Sequence, residues 1–526
     1  MTDQAGVSAF LGSGGSYDPP AAEVERIDTH AALVFLAGAR AFKIKRAVRF
    51  SFMDFSTRDK RAAACRQEVR LNRRSAPDLY LGVVPILRRP GGFAFGDLLP
   101  DPDDEAALPQ EIEELAVVMR RFDQSSLFDR LADSGRLDAD LIEALVRQVV
   151  ALHAQAEPAA AVFGGADGLD RLIAENAEDF AAYPEILPAE RAARLIAACH
   201  ARLEQVAALL DARRDGGFVR RCHGDLHLRN IVLLDGRPTL FDCIEFNAAI
   251  ATIDLGYDLA FLLMDLDRRG LRPLANVALN RYLEAALPAG LGGPDWLAAL
   301  PLFLSLRAAV RAKVAAPAVG AQQDAGLAAA LRREALDYLS AAERYLAPPA
   351  PRLLAVGGLS GSGKSTLARA LAPDLGASPG AVVLRSDQIR KRLAGLRETE
   401  RLPAEAYGAD SSAAVYAEIG RLAGAILASG HAVVVDAVSA RPEERHSFRA
   451  LAESAGLRFD GLWLEAPAGT LKARVAARQG DASDADAAVV DRQLGYDLGD
   501  LDWTRVPADG GPDAVRKRAQ ALLRMD

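Results

Sequence analysis

Gly358-Leu359-Ser360-Gly361-Ser362-Gly363-Lys364-Ser365 has the spacing of a P-loop: Gly, four free positions, then Gly-Lys-Ser. Glycines let the backbone close around a polyphosphate, so that successive N–H groups converge at a helix N-terminus whose dipole favours an anion. On that pattern Gly358, Ser360, Gly361, Ser362, Gly363 and Thr366 line the phosphates. Lys364 reaches the β/γ-phosphates and the Ser365 hydroxyl takes Mg2+. A second set lies upstream, in Arg221-Cys222-His223-Gly224-Asp225-Leu226-His227-Leu228-Arg229-Asn230. An apolar strand over 231–234, a turn at Asp235-Gly236 and a second strand follow, ending in Asp242. The hairpin returns Asp242 to the end that holds Asp225 and Asn230. Two carboxylates and an amide so placed suit phosphoryl transfer, one carboxylate accepting the proton of an incoming hydroxyl while an Asn/Asp pair holds Mg2+ on the phosphates. The plainer alternative is a polar hairpin with capping residues.

These residues need elements to carry them. Ala31 to Leu36 and Ala41 to Lys45 form a hairpin about the turn Ala37-Gly38-Ala39-Arg40. Ala41, Lys43 and Lys45 share one strand face. The helical segment Asp59 to Arg74 carries Glu68. A strand lysine followed by a helix glutamate is the kinase ion-pair arrangement, in which the lysine holds the α/β-phosphates. A solvated lysine face is the alternative, and the choice between Lys43 and Lys45 stays open. Leu79 to Phe95 reads as two strands, and Val117 to Phe122 as a strand leaving a small lobe. Helical spacing then runs through 127–131, 137–153, 169–180 and 189–210. His153, near a helix end, reads as a satisfied histidine with no assigned role.

Around the P-loop, Arg352 to Val356 reads as a buried strand and Thr366 to Ala372 as the start of a helix. Ala381 to Leu384 is a further strand, and Asp387 lies just past its end, at the ligand-binding edge of a parallel sheet. Catalysis and helix capping by Ser386 or Asp387 are both compatible with that place. His431 to Asp436 is a buried strand ending in a carboxylate, as a Mg2+–water ligand should. Arg474 and Arg478 share a helix face ahead of the acidic 481–486 stretch, either as a lid over phosphates or as a solvated, salt-bridged surface.

The chain has 526 residues, half of them apolar and a quarter charged, which suits a soluble protein of more than one domain. A net charge of −8 argues against a nucleic-acid-binding face. The four cysteines form no CxxC pair, so neither a zinc site nor a disulfide is expected. The 1–20 stretch lacks a basic-then-apolar run, and no uncharged stretch long enough to span a membrane occurs. A cytoplasmic location with no membrane partner is expected.

His223-Gly224-Asp225 with Asn230 and Asp242 resembles the catalytic segment of the aminoglycoside phosphotransferase family, a branch of the protein-kinase-like fold. The resemblance implies a bilobal fold over 23–346, with the small lobe ending near 118. It implies Asp225 as base, Asn230 and Asp242 as Mg2+ ligands, Lys43 as nucleotide lysine and Glu68 as its helix partner. Asp242-Cys243-Ile244-Glu245 stands where protein kinases have Asp-Phe-Gly, and no G-x-G-x-x-G precedes Lys43. The later half resembles small P-loop kinases of the gluconate-kinase-like, chloramphenicol-phosphotransferase-like and zeta-toxin groups, with Asp387 acting on the acceptor hydroxyl and Arg474 and Arg478 in the lid. Together the halves resemble bacterial bifunctional aminoglycoside phosphotransferase/ATP-binding proteins. The expected architecture is multidomain, α+β and α/β: an arm over 1–22, the kinase-like domain, a Pro-rich linker over 347–351, and a three-layer parallel-sheet P-loop NTPase domain over 352–526. The expected activity is ATP- and Mg2+-dependent phosphoryl transfer to hydroxyls of small molecules at two sites. The rival readings are an ATP-gated regulatory module and a toxin-like kinase of a nucleotide sugar.

Overall fold

The structure, a computed structural model, describes residues 4–29, 31–50, 53–104, 112–322, 324–398, 400–477 and 483–524. The chain forms two compact units, one of Met1–Gly168, Asp211–Asp265 and Pro288–Leu291, the other of Leu169–Leu210, Leu266–Leu287 and Gly292–Asp526. The Pro-rich 347–351 segment therefore lies inside the second unit.

In the first unit, β1 (Val24–Asp28), β2 (Ala32–Ala37), β3 (Arg40–Lys45), β6 (Tyr80–Arg89), β7 (Gly92–Phe95) and β8 (Ile112–Arg120) form an antiparallel sheet in the order β1-β2-β3-β8-β6-β7. The pair β4 (Arg49–Phe50) and β5 (Met53–Asp54) stands apart from it. Strand alternation sorts β3 cleanly. Phe42 and Ile44 enter a core shared with Val7 and Leu11, so the N-terminal residues pack as the helix Gln4–Gly12. Ala41 enters the opposite core, with Cys65 and Val69 of the helix Arg58–Asn72. Lys43 and Lys45 share the face of Ala41 and are thereby aimed at that helix.

The helix itself follows from Arg- and Ala-rich sequence with no Gly or Pro, capped by Thr57, whose side chain accepts from the Lys60 N–H. Its buried face includes Arg61, Glu68 and Asn72. Three buried polar side chains on one helix each require a partner. Arg61 meets the buried Glu114 at 2.9 Å, and the other two belong to the site below.

The rest of this unit contains the pair β9 (Val219–Arg221) and β12 (Thr252–Asp254), and the hairpin β10 (Ile231–Leu234) with β11 (Arg237–Leu240), in which Ile231 faces Leu240. Phe122 falls just beyond β8, so the strand leaving the small lobe ends earlier than its apolar pattern suggests.

The second unit is built on a fully parallel sheet of β13 (Arg352–Gly358), β14 (Val382–Arg385), β15 (Val433–Asp436), β16 (Arg458–Glu465) and β17 (Thr504–Pro507), ordered β14-β15-β13-β16-β17. Leu354, Val356, Val434 and Leu462 share one core with the helices Lys364–Leu371 and Pro512–Leu523. The helices Ala409–Ala428 and Pro442–Ser454 also pack against the central strands. β14 is an edge strand, yet two polar groups along its outer side are covered. Asn276, on the helix Arg272–Ala286, donates to the Ala381 carbonyl at 3.0 Å, and Asn280 accepts the Val383 N–H at 2.7 Å.

Candidate functional site

In the first unit the two lysines of β3 share one glutamate. Lys43 Nζ lies 2.8 Å from Glu68 Oε1, and Lys45 Nζ 2.5 Å from Glu68 Oε2. They diverge in their second partners: Lys43 reaches Asp242 Oδ1 at 2.6 Å, whereas Lys45 hydrogen-bonds Glu245. Burial pulls the Lys43 ammonium down, but Asp242 and Glu68 outweigh it and hold it well above its usual value. The same pairing holds Asp242 below the ordinary carboxylate range against the effect of burial. The Lys45 side chain is only 3% exposed and Glu245 5%, while Asp242 is 42% exposed. The five groups are therefore a buried brace behind (Glu68, Lys45, Glu245) and, in front of it, the largely buried Lys43 paired with the half-exposed Asp242.

Asp242 stands at φ +59, directly after the β10–β11 hairpin. Its N–H donates to Tyr80 Oη at 3.2 Å, and the next N–H, of Cys243, donates to Asn72 Oδ1 at 2.9 Å. The helix that supplies Glu68 thus also fixes the backbone that supplies Asp242.

Asp225 and Asn230 meet within the loop that carries both. Asn230 Nδ2 donates to Asp225 Oδ2 at 2.8 Å and to its carbonyl at 2.9 Å, and His227 Nε2 lies 3.3 Å from the same Oδ2. The loop is held from beneath by the buried Asp258, whose carboxylate accepts the N–H groups of His223 at 3.2 Å and Gly224 at 2.8 Å and meets His153 Nε2 at 3.1 Å. His153 is thus a satisfied core histidine. His223 accepts the Asp225 N–H on Nδ1 and bonds the Phe241 carbonyl through Nε2, so the proton sits on Nε2, and burial lowers its pKa. Gly224 is at φ +83, and a Cβ there would lie 2.8 Å from that of Ala251. Only glycine serves this turn.

In the second unit the loop after β13 takes the conformation that its glycines permit. Gly358, Gly361 and Gly363 sit at φ +135, +83 and +95, and a Cβ on Gly361 would lie 2.4 Å from the Leu471 carbonyl. Gly363 caps the helix Lys364–Leu371. The Ser360 N–H donates to Gln493 at 2.7 Å, and Ser362 is buried. Lys364 Nζ donates to the Leu359 carbonyl at 3.1 Å, across the loop it serves. Thr366 is exposed on the following turn. Arg474 reaches toward the loop, 3.5 Å from the Ser362 carbonyl, and donates to Gly510 at 3.0 Å. Arg478 lies outside the described residues.

Asp436 ends β15 beside β13. Arg385 is the N-cap position of the helix Ser386–Leu393, so Asp387 stands within its first turn and not at the cap. Burial, and then the Asp436 charge, push the Asp387 carboxyl up, with Lys364 pulling the other way. That is the setting of a carboxylate available to take a proton.

Sequence reasoning missed Asn72, Tyr80, His227, Asp258 and Gln493. Of these, His227 stands inside the Arg221 to Asn230 stretch with no role read for it, and the others left no local signal. The four cysteines are buried and unpaired with one another. Among the described residues, no helix is long and apolar enough to cross a membrane.

Residues 35–300 match the family described as the phosphotransferase enzyme family, and 353–496 match the AAA domain. An uncharacterized protein of Mycobacterium tuberculosis is 32% identical over 485 residues, covering 90% of each chain. The adenylyl-sulfate kinase of Myxococcus xanthus is 37% identical over 118 residues, 22% of this chain and 59% of that enzyme. Among solved structures, an amicoumacin kinase bound to AMP-PNP is 15% identical with a TM-score of 0.39, covering 65% of this chain and 94% of that one. A gluconokinase from Sinorhizobium meliloti is 23% identical with a TM-score of 0.25, covering 33% and 92%. The chain belongs to the phosphotransferase enzyme family and is a kinase with an alcohol group as acceptor.

Proposed function

We propose that the chain carries two Mg·ATP sites, each passing the γ-phosphoryl group to a hydroxyl of a small molecule. The observation that carries this reading is the meeting of Lys43, Glu68 and Asp242, which are far apart in sequence, with Asp225 near enough for its charge to act on Asp242. Lys43, braced by Glu68, takes the α/β-phosphates. Asp225 accepts the proton as the acceptor oxygen bonds to Pγ and the Pγ–O bond to ADP breaks, with Asn230 and His227 fixing its carboxylate. The donor set fits a hard cation: an Asp242 carboxylate and the Asn230 amide oxygen here, and the Ser365 hydroxyl and Asp436 carboxylate downstream. Magnesium bound at these oxygens would neutralise charge developing on the transferred phosphate.

Downstream, Lys364 and the N–H groups of the glycine loop bind the phosphates, Arg474 adds charge beside them, and Asp387 takes the acceptor proton. Nucleotide titration of the full chain tests the two-site reading. Wild type should bind two equivalents. Lys43→Ala and Lys364→Ala should each bind one, and loss of all binding in either variant would reduce the sites to one coupled unit.

A further inference from the structure

Arg385 ends β14 with a side chain only 3% exposed, and it faces the two oxygens just assigned to the downstream metal. Its Nε lies 3.3 Å from Asp436 Oδ2 and its terminal nitrogen 3.4 Å from Ser365 Oγ. A guanidinium cannot shed its charge by losing a proton, so this is a permanent cation at a position that a divalent cation must share. Two cations cannot both hold one buried carboxylate at such range without strong repulsion. Binding of the ion therefore requires Arg385 to withdraw.

A second carboxylate is ready to receive it. Glu398 Oε1 lies 3.7 Å from another Arg385 nitrogen, within ion-pair reach but beyond a hydrogen bond. Glu398 is itself anchored, by Gln388 at 2.9 Å and by Arg281 of the helix Arg272–Ala286 at 3.1 Å. Burial would push its carboxyl up, yet Arg281, Gln388 and Arg385 hold it below the ordinary range.

We propose that Arg385 is the resident counter-charge of the P-loop metal position, exchanged for the divalent ion when Mg·nucleotide binds, with Glu398, steadied by Arg281, taking the displaced guanidinium. Arg385 is a positioning residue on this account: it keeps Asp436 and Ser365 in place for the ion and sets how much ion is needed. The proposal rests on the reading of Ser365 and Asp436 as metal ligands.

The test is nucleotide binding to the full chain, in a Lys43→Ala background so that the downstream site alone reports, titrated against Mg2+. Arg385→Gln removes the competitor and should lower the Mg2+ midpoint roughly tenfold, the scale of one lost charge-assisted hydrogen bond. Arg385→Lys retains the charge and should keep the midpoint near wild type. Glu398→Gln removes the receiving carboxylate and should shift the midpoint the other way, several-fold upward; it stays informative if Arg385→Gln fails to fold. A structural role for Arg385 would instead weaken binding at every Mg2+ concentration. An unchanged or raised midpoint in Arg385→Gln, or a lowered one in Glu398→Gln, overturns the exchange. Asp436→Asn separates this from the reading beneath it: if that variant leaves the midpoint unmoved, the metal assignment fails first.

Discussion

The two regions proposed to hold phosphates are built from different parts. In the first unit the arrangement is made by side chains: Lys43, Glu68, Asp225 with Asn230, and Asp242 come from four segments, held by ion pairs and hydrogen bonds. In the second, one continuous loop and the helix behind it supply backbone N–H groups, and glycine geometry is the critical ingredient. Apart from the turn at Gly224, the first should therefore respond more to loss of charge, and the second more to added backbone bulk.

The largest effect expected is at Asp225. Asp225→Asn should cut phosphotransfer at the first site about 10²- to 10⁴-fold while Mg·ATP affinity stays within a few-fold, because a proton acceptor is lost and a ligand is not. Asp242→Asn should weaken Mg2+-dependent binding instead. Calorimetric titration beside single-turnover rates distinguishes them, and equal affinity losses would merge the two roles.

Next comes Asp387, the point where the second site also depends on a side chain. Asp387→Asn should cost about 10²-fold in transfer with nucleotide affinity kept. Its stability should move the opposite way. The raised carboxyl pKa means that folding favours the protonated form, so its contribution is present at low pH and lost as pH rises through the folded value. At neutral pH the charged form is a burden, and Asp387→Asn should melt higher, the gain shrinking on acidification. All three tryptophans, Trp296, Trp463 and Trp503, lie in the second unit, so selectively excited tryptophan fluorescence reads that unit alone.

The same signal reports His431, fully buried beside the sheet, where burial lowers the ring to about 4. A depressed histidine contributes stability above its unfolded value near 6.5, lost as pH falls toward 4, about 3 kcal/mol in all. The tryptophan-monitored transition should weaken steeply below pH 6, and His431→Gln should flatten that slope. Slopes that coincide would remove His431 as the cause.

The smallest effects are the most direct contrast. Gly361→Ala should weaken downstream nucleotide binding at least about tenfold, since its Cβ has nowhere to go. Gly38, in the β2–β3 turn of the first unit, is at φ +56 with nothing within 4 Å of an added Cβ. Gly38→Ala should cost only the left-handed penalty, about 1–2 kcal/mol in stability, and leave the first site's affinity intact. Equal losses of affinity would erase the distinction between the sites.

The contrast also explains what could be read in advance. The P-loop was legible because its parts are adjacent, and the turn at His223-Gly224-Asp225 because its amide and carboxylate lie close together. Lys43 and Lys45 could not be separated by periodicity, since both point to one face. What distinguishes them is Asp242 against Glu245, contributed from another segment. Asn72 and Asp258 looked like ordinary polar residues on helices. Their work is to hold backbone N–H groups of a remote loop, which no local pattern encodes. Arg385 was invisible for a similar reason: an arginine at a strand end announces nothing until Asp436 and Ser365 are beside it.

Asn276 and Asn280 have a consequence for the gene. By completing the edge of β14 they stand in for a strand that an independent P-loop protein would need to supply or cover by other means. A fission within the 347–351 segment would leave the downstream product with a bare Ala381 carbonyl and Val383 N–H, an open template for pairing with another copy of itself.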